Sequence, residues 1–213
     1  MPKPKSTKPK AKATKPKAKA TKPKAKPAAK RRGPRPPLPL KGLRKRGGDP
    51  GGATLAAVKS YVEWGADINA LFDEPAAAFM ESLLSLATAG DHVDIMKYLI
   101  EKGADVNLED GKMGERPLHV AVSFANADTS AVALLLAHGA DPNARSRNGH
   151  STPLHDAILM GRDPHVKLML EHGGNPALPV AEGSDRTGFD LIGDRADRRA
   201  LVEMLAAWRR DRR

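Results

Sequence analysis

Two histidines, His119 and His155, stand in matching hexapeptides, Arg116-Pro117-Leu118-His119-Val120-Ala121 and Thr152-Pro153-Leu154-His155-Asp156-Ala157. Imidazoles are candidates for metal ligation or general-base work, and Asp156 adds a carboxylate beside one of them. The spacing argues against both. No H-E-x-x-H or H-x-x-x-H pair puts two ligands on one helical face. A sequence-adjacent His-Asp pair is no triad without a nucleophile held against the ring. Asp67, Asp105 and Asp141 each follow a Gly-Ala step, where an Asx side chain closes a backbone turn. Cysteine is absent, which removes disulfides, Cys-ligated zinc and thiol nucleophiles. Gly47-Gly48 and Gly51-Gly52 lack the Gly-Lys-Ser/Thr step of a phosphate loop. The expectation is a non-enzyme with no metal and no cofactor.

The remaining chemistry is electrostatic. Of 36 Lys+Arg in the 213 residues, 19 lie in residues 1–48 and none of the 25 Asp+Glu do. The rest holds 17 basic against 25 acidic residues, a net of −8. Lys8–Thr14 and Lys15–Thr21 are the same heptapeptide, KPKAKAT, and Lys22–Pro27 begins a third copy. Regular Pro removes ladder donors and fixes φ, and close Lys residues repel, so residues 1–48 should form a disordered arm, extended and partly polyproline II. Lys8, Lys10, Lys12, Lys15, Lys17, Lys19, Lys22, Lys24, Lys26, Lys30, Arg31 and Arg32 are its candidate polyanion contacts. They would neutralise phosphates without sequence preference and with steep salt dependence. No aromatic is interleaved for base stacking. The same residues also read as a targeting or solubilising tail, and Lys30–Arg32 and Arg44–Arg46 would serve as nuclear-localisation patches. An arm folded back on the acidic remainder is a third reading. No apolar run approaches the roughly 18 residues of a bilayer span, and no apolar secretory h-region is visible.

The elements that must position these residues follow from periodicity. In Ser82–Asn107, Leu83, Leu84, Leu86 and Ala87 cluster at helical spacing, and Ile95, Met96, Leu99 and Ile100 do so again after Gly90-Asp91-His92. Gly103 sits where the second helix must stop. Leu84, Leu118, Leu154 and Phe189 fall 34, 36 and 35 residues apart. A period near 33 with a Thr-Pro-Leu-His-x-Ala opening and a Gly-Ala-Asp-x-Asn close resembles the ankyrin repeat. The resemblance covers about Ala53 to Arg213.

That resemblance implies an all-α solenoid of about four helix-turn-helix units in residues 49–213, behind the arm. The approximate units are 53–69 (an N-terminal cap), 80–107, 114–143, 150–175 and 185–213 (a C-terminal cap). Asp73-Glu74-Pro75 would start the first helix of the second unit early. Thr187–Leu191 resembles a degenerate opening, and Ala200–Trp208 a last helix. Each opening Thr or Ser caps its helix, and the family's opening His hydrogen-bonds the neighbouring turn.

The resemblance also implies a scaffold whose finger tips and inner helices form a concave protein-binding face. The fingers are Leu71–Glu74, Leu108–Glu115 and Ala144–Ser151. Met113, Phe124 and Met160 are its candidate apolar contacts, with Arg145 and Arg147 as polar ones. The function expected is therefore an adaptor, monomeric, that binds a protein through the repeats and DNA, RNA or another polyanion through the arm. A targeted effector or inhibitor, with the arm as its address, is the alternative. Its compartment would be the cytoplasm or nucleoid of a bacterium, or a nucleus in a eukaryotic or host cell.

Overall fold

The computed structural model describes residues 34, 36–37, 42–43, 54–73, 80–110, 114–124, 128–146, 151–192 and 198–211. All twelve of the arm's candidate contacts, Lys8 through Arg32, lie outside the described residues. Eight helices are described: α1 (Leu55–Glu63), α2 (Leu83–Ala89), α3 (Val93–Glu101), α4 (Pro117–Phe124), α5 (Ser130–Ala137), α6 (Pro153–Met160), α7 (Asp163–Glu171) and α8 (Arg199–Arg210). None exceeds 12 residues, too short to persist alone in water, so packing must hold them.

They pack in two rows. The inner row is α2, α4 and α6; the outer row is α1, α3, α5, α7 and α8, each against the next. On α1, α3, α5 and α7 the outer row presents two columns of buried side chains three residues apart. One column is Val58, Met96, Val132 and Val166, all 0% exposed; the other is Tyr61, Leu99, Leu135 and Met169, at most 3% exposed. Leu84, Leu118 and Leu154, the periodic leucines of the inner row, are buried against them. Fully burying each such side chain is worth about 1.5–3 kcal/mol. Repetition of one small knob pattern therefore builds a continuous core.

Caps and turns follow from local chemistry. The hydroxyls of Thr54, Ser82 and Thr152 accept the amide hydrogens of Ala57, Ser85 and His155, at 3.2, 3.1 and 3.3 Å. The helix-ending glycines Gly65, Gly103, Gly139 and Gly173 have φ of 97°, 97°, 85° and 87°, a region in which a Cβ is strained.

Two expectations are corrected, and the degenerate last opening takes a definite form. The second unit does not begin early at Asp73-Glu74-Pro75. Strand β1 (Leu71–Asp73) pairs antiparallel with β2 (Met80–Ser82), and α2 starts only at Leu83. The reason is Asp110: its carboxylate accepts from the Ser82 amide at 3.1 Å and hydroxyl at 2.9 Å, holding Ser82 extended. Leu43, inside the segment read as arm, is fully buried in the core. Its carbonyl lies against Gly90, where a Cβ would come within 2.0 Å of it. The last opening forms no helix at Thr187–Leu191. The Asp190 carboxylate accepts from the Thr187 amide and hydroxyl at 2.7 and 2.8 Å, closing a single turn before α8.

Candidate functional site

Two of the chemistry-bearing residues, His119 and Asp156, line a groove of about 290 Å³ between the inner row and the fingers, whereas His155 does not reach it. Its floor comes from inner helices: His119 and Ser123 of α4, Asp156 and Met160 of α6. Glu115, Ser146 and Ser151 of the fingers form its wall.

His119 is 2% exposed, and its Nδ1 accepts the Arg116 amide hydrogen at 3.2 Å. Burial, aided by the Arg116 charge, lowers its pKa to about 4 against the opposing pull of backbone at Ser151 and Ala144. His155 is fully buried with Nδ1 3.1 Å from the Thr152 hydroxyl. Its pKa is also lowered to about 4, by burial and then by Arg145, with backbone at Leu178 and Pro176 opposing. Each ring is thus tied to its own opening and set against the backbone of the next finger. Both are neutral at neutral pH.

Asp156 accepts a hydrogen bond from the Ser151 hydroxyl. Burial raises its pKa, the Ser151 bond opposes, and Glu115 raises it further. A hydrolytic relay would need the serine to donate to the imidazole. Here serine donates directly to the carboxylate, and the Nδ1 of His119 is already occupied. Among the described residues no group of three or more His, Asp or Glu side chains could hold a metal.

The candidate contact residues separate. Phe124 and Met160 occupy the same last position of α4 and α6 and are 47% and 51% exposed. Leu159, which the sequence reading did not single out, is 49% exposed beside Met160. The Arg145 guanidinium donates to the carbonyl of Pro179, and to that of Val180 at 3.4 Å, tying its finger to the next. Met113 and Arg147 lie outside the described residues.

The closing turns repeat one bonding pattern. The amide oxygens of Asn69, Asn107 and Asn143 accept from the backbone N–H of Asp105, Asp141 and Asn175, at 2.9, 2.9 and 2.7 Å. A family model for ankyrin repeats in three copies matches residues 52–146 and again 84–179, more than half of the chain. The chain belongs to the ankyrin repeat family. Its ankyrin stack is 43% identical over 79 residues to the 2-5A-dependent ribonuclease of Homo sapiens, covering 37% of this chain and 10% of the ribonuclease. It is 42% identical over 114 residues to the NF-kappa-B inhibitor cactus of Drosophila melanogaster, covering 54% and 23%. With the B-cell lymphoma 3 protein homolog of Mus musculus the match is 35% over 109 residues, 48% and 24%. The chain thus spans less than a third of these relatives, and what is shared is the repeats. Ankyrin repeats are a protein-interaction scaffold, and that general role applies to this stack. No described helix is long and apolar enough to cross a membrane.

Proposed function

We propose that this ankyrin-repeat chain is a non-enzymatic adaptor that docks a protein segment along the inner row and holds a polyanion with its basic N-terminal residues. The observation that carries this reading is the pairing of Phe124 with Met160. Two large apolar side chains about half exposed end adjacent inner helices at equivalent positions, and Met160 lies in the groove that the carboxylates of Glu115 and Asp156 also line. Apolar anchors of this kind dominate binding energy at interfaces. The neighbouring carboxylates favour a partner segment with Lys or Arg next to its apolar residues.

A photocrosslinking residue installed at 124 or 160, with one at the exposed outer-row Lys167 as control, tests the docking face. A partner protein captured at the first two positions and not at 167 is expected. Equal capture at all three would overturn the reading. For the polyanion half, gel shifts of DNA and RNA across a salt series compare the full chain with residues 42–213, a cut that retains Leu43. Salt-sensitive binding lost with residues 1–41 is the expected result.

A second reading has one specific support. A relative 42% identical over 114 residues bears the name of an NF-kappa-B inhibitor, which favours a stack that inhibits its partner while the basic segment serves as an address. Absence of nucleic-acid binding by either length of chain would favour this reading over the first.

A further inference from the structure

The inner row has no fourth helix among the described residues. Its place is taken by the single turn at Thr187–Leu191, and Phe189 stands there in register with Leu84, Leu118 and Leu154. Those leucines are at most 1% exposed; Phe189 is only partly buried. One turn of chain covers less of α8 than a helix would. An open groove of about 450 Å³ results, floored by Phe189, Ile192, Val202 and Ala206, with Arg209 and Arg210 along it. Val202 is 45% exposed in it.

From this geometry we infer that the groove is a second docking site, separate from the inner-row groove, and that its occupant is an acidic amphipathic helix of a partner protein. The apolar floor calls for a helix with one apolar face. The charge selects its sign. The Arg209 guanidinium stacks 4.7 Å over the Phe189 ring, a contact that engages its face, whereas a carboxylate meets the edge N–H donors in plane. Arg210 is exposed beside it. On the same helix Glu203 is engaged with Arg199 at 2.9 Å, and Asp211 follows the pair of arginines. Two copies of the groove facing each other would oppose their arginines, which argues against self-pairing as the occupant. The two grooves would then accept partners of opposite charge, which rests on the adaptor reading above.

The test uses the full chain and a fluorescein-labelled amphipathic peptide with Leu at i, i+3, i+4 and i+7 and Glu elsewhere, followed by fluorescence anisotropy. The same peptide with Lys in place of Glu is the control. The acidic peptide should bind and the basic one should not. Val202→Gln should weaken binding by roughly tenfold, the scale of one lost apolar side chain. Arg210→Gln should weaken it and flatten its salt dependence, with circular dichroism unchanged in both variants. Met160→Gln, which alters the inner-row groove, should leave it unchanged. Binding that survives Val202→Gln reports the Lys-rich N-terminal residues and overturns the proposal. So does equal binding of both peptides, or loss in Met160→Gln instead.

Discussion

The Asn107 side chain grips the following repeat at two points: its oxygen accepts the Asp141 amide hydrogen at 2.9 Å and its nitrogen donates to the Gly139 carbonyl at 2.9 Å. Asn143 does the same to Asn175 and Gly173, at 2.7 and 3.0 Å. Meanwhile Asp105 and Asp141 each accept the amide hydrogen of the Asn two residues on. One turn thus presets the next.

Asn107→Ala removes both bonds and should cost about 1–2 kcal/mol. Asn107→Asp keeps an acceptor but places a carboxylate by the Gly139 carbonyl, and should recover less than half of that loss. Urea unfolding of the three proteins gives the values. Equal stability of wild type and Asn107→Ala would show that water replaces the ladder without loss.

Leu43 belongs to the folded unit. Leu43→Ala should lower stability by about 2–4 kcal/mol, the range for a buried Leu. Deleting residues 1–41 should change it little, whereas deleting 1–48 should cost at least as much as Leu43→Ala. Gly90→Ala should destabilise by the same route, because its Cβ meets the Leu43 carbonyl. Thermal melts of the four variants decide the matter.

The opening histidines make stability fall with acid. Both folded-state pKa values lie near 4, below the ordinary 6.5, so the unfolded chain binds more protons between those limits. Their contribution is complete above pH 6.5 and is lost as the pH falls toward 4. At pH 5 the loss is about 2 kcal/mol per ring. Asp110 and Asp156, with pKa values raised by burial, act in the opposite direction. His155→Gln should flatten the slope between pH 7 and 5; an unchanged slope would assign the acid sensitivity elsewhere.

Arg198 clamps one inner helix from the last unit. Its guanidinium donates to the carbonyls of Ile158 at 2.6 Å and Leu159 at 3.4 Å, the C-terminal end of α6. Arg162 makes the equivalent reach to Ser123 of α4 at 3.5 Å. Arg198→Ala should cost about 1–2 kcal/mol and raise amide exchange in α8 ahead of the other helices. Uniform exchange across α6–α8 would refute a local clamp.

Much of this was legible in the chain. Leu84, Leu118 and Leu154 announced the inner row by period, and Gly103 and Gly139 marked helix ends because their backbone requires positive φ. Phe124 and Met160, expected as apolar contacts, stand about half exposed at the ends of α4 and α6. Leu43 could not be picked out, since it stands with Leu38 and Leu40 in a stretch dense in Pro, Lys and Arg that sustains no helical period. The strand at Leu71–Asp73 was hidden because its partner strand ends at Ser82, which is bonded to Asp110, 28 residues further on. Arg145 looked like a surface contact because its acceptors, Pro179 and Val180, are a full repeat away. The groove beside α8 was invisible for another reason: it is defined by the helix that Thr187–Leu191 fails to make.

The single turn at Thr187–Leu191 also bears on where the stack comes apart. Contacts in such an array run only between nearest neighbours, so melting propagates from an end as a zipper opens. The last unit has a neighbour on one side only and a single turn at Thr187–Leu191, and α8 should fray at a lower free energy than α2–α7. A molecule seated on α8 would therefore act as a latch: it would delay fraying of that end first, and the rest of the stack would feel it only through α7.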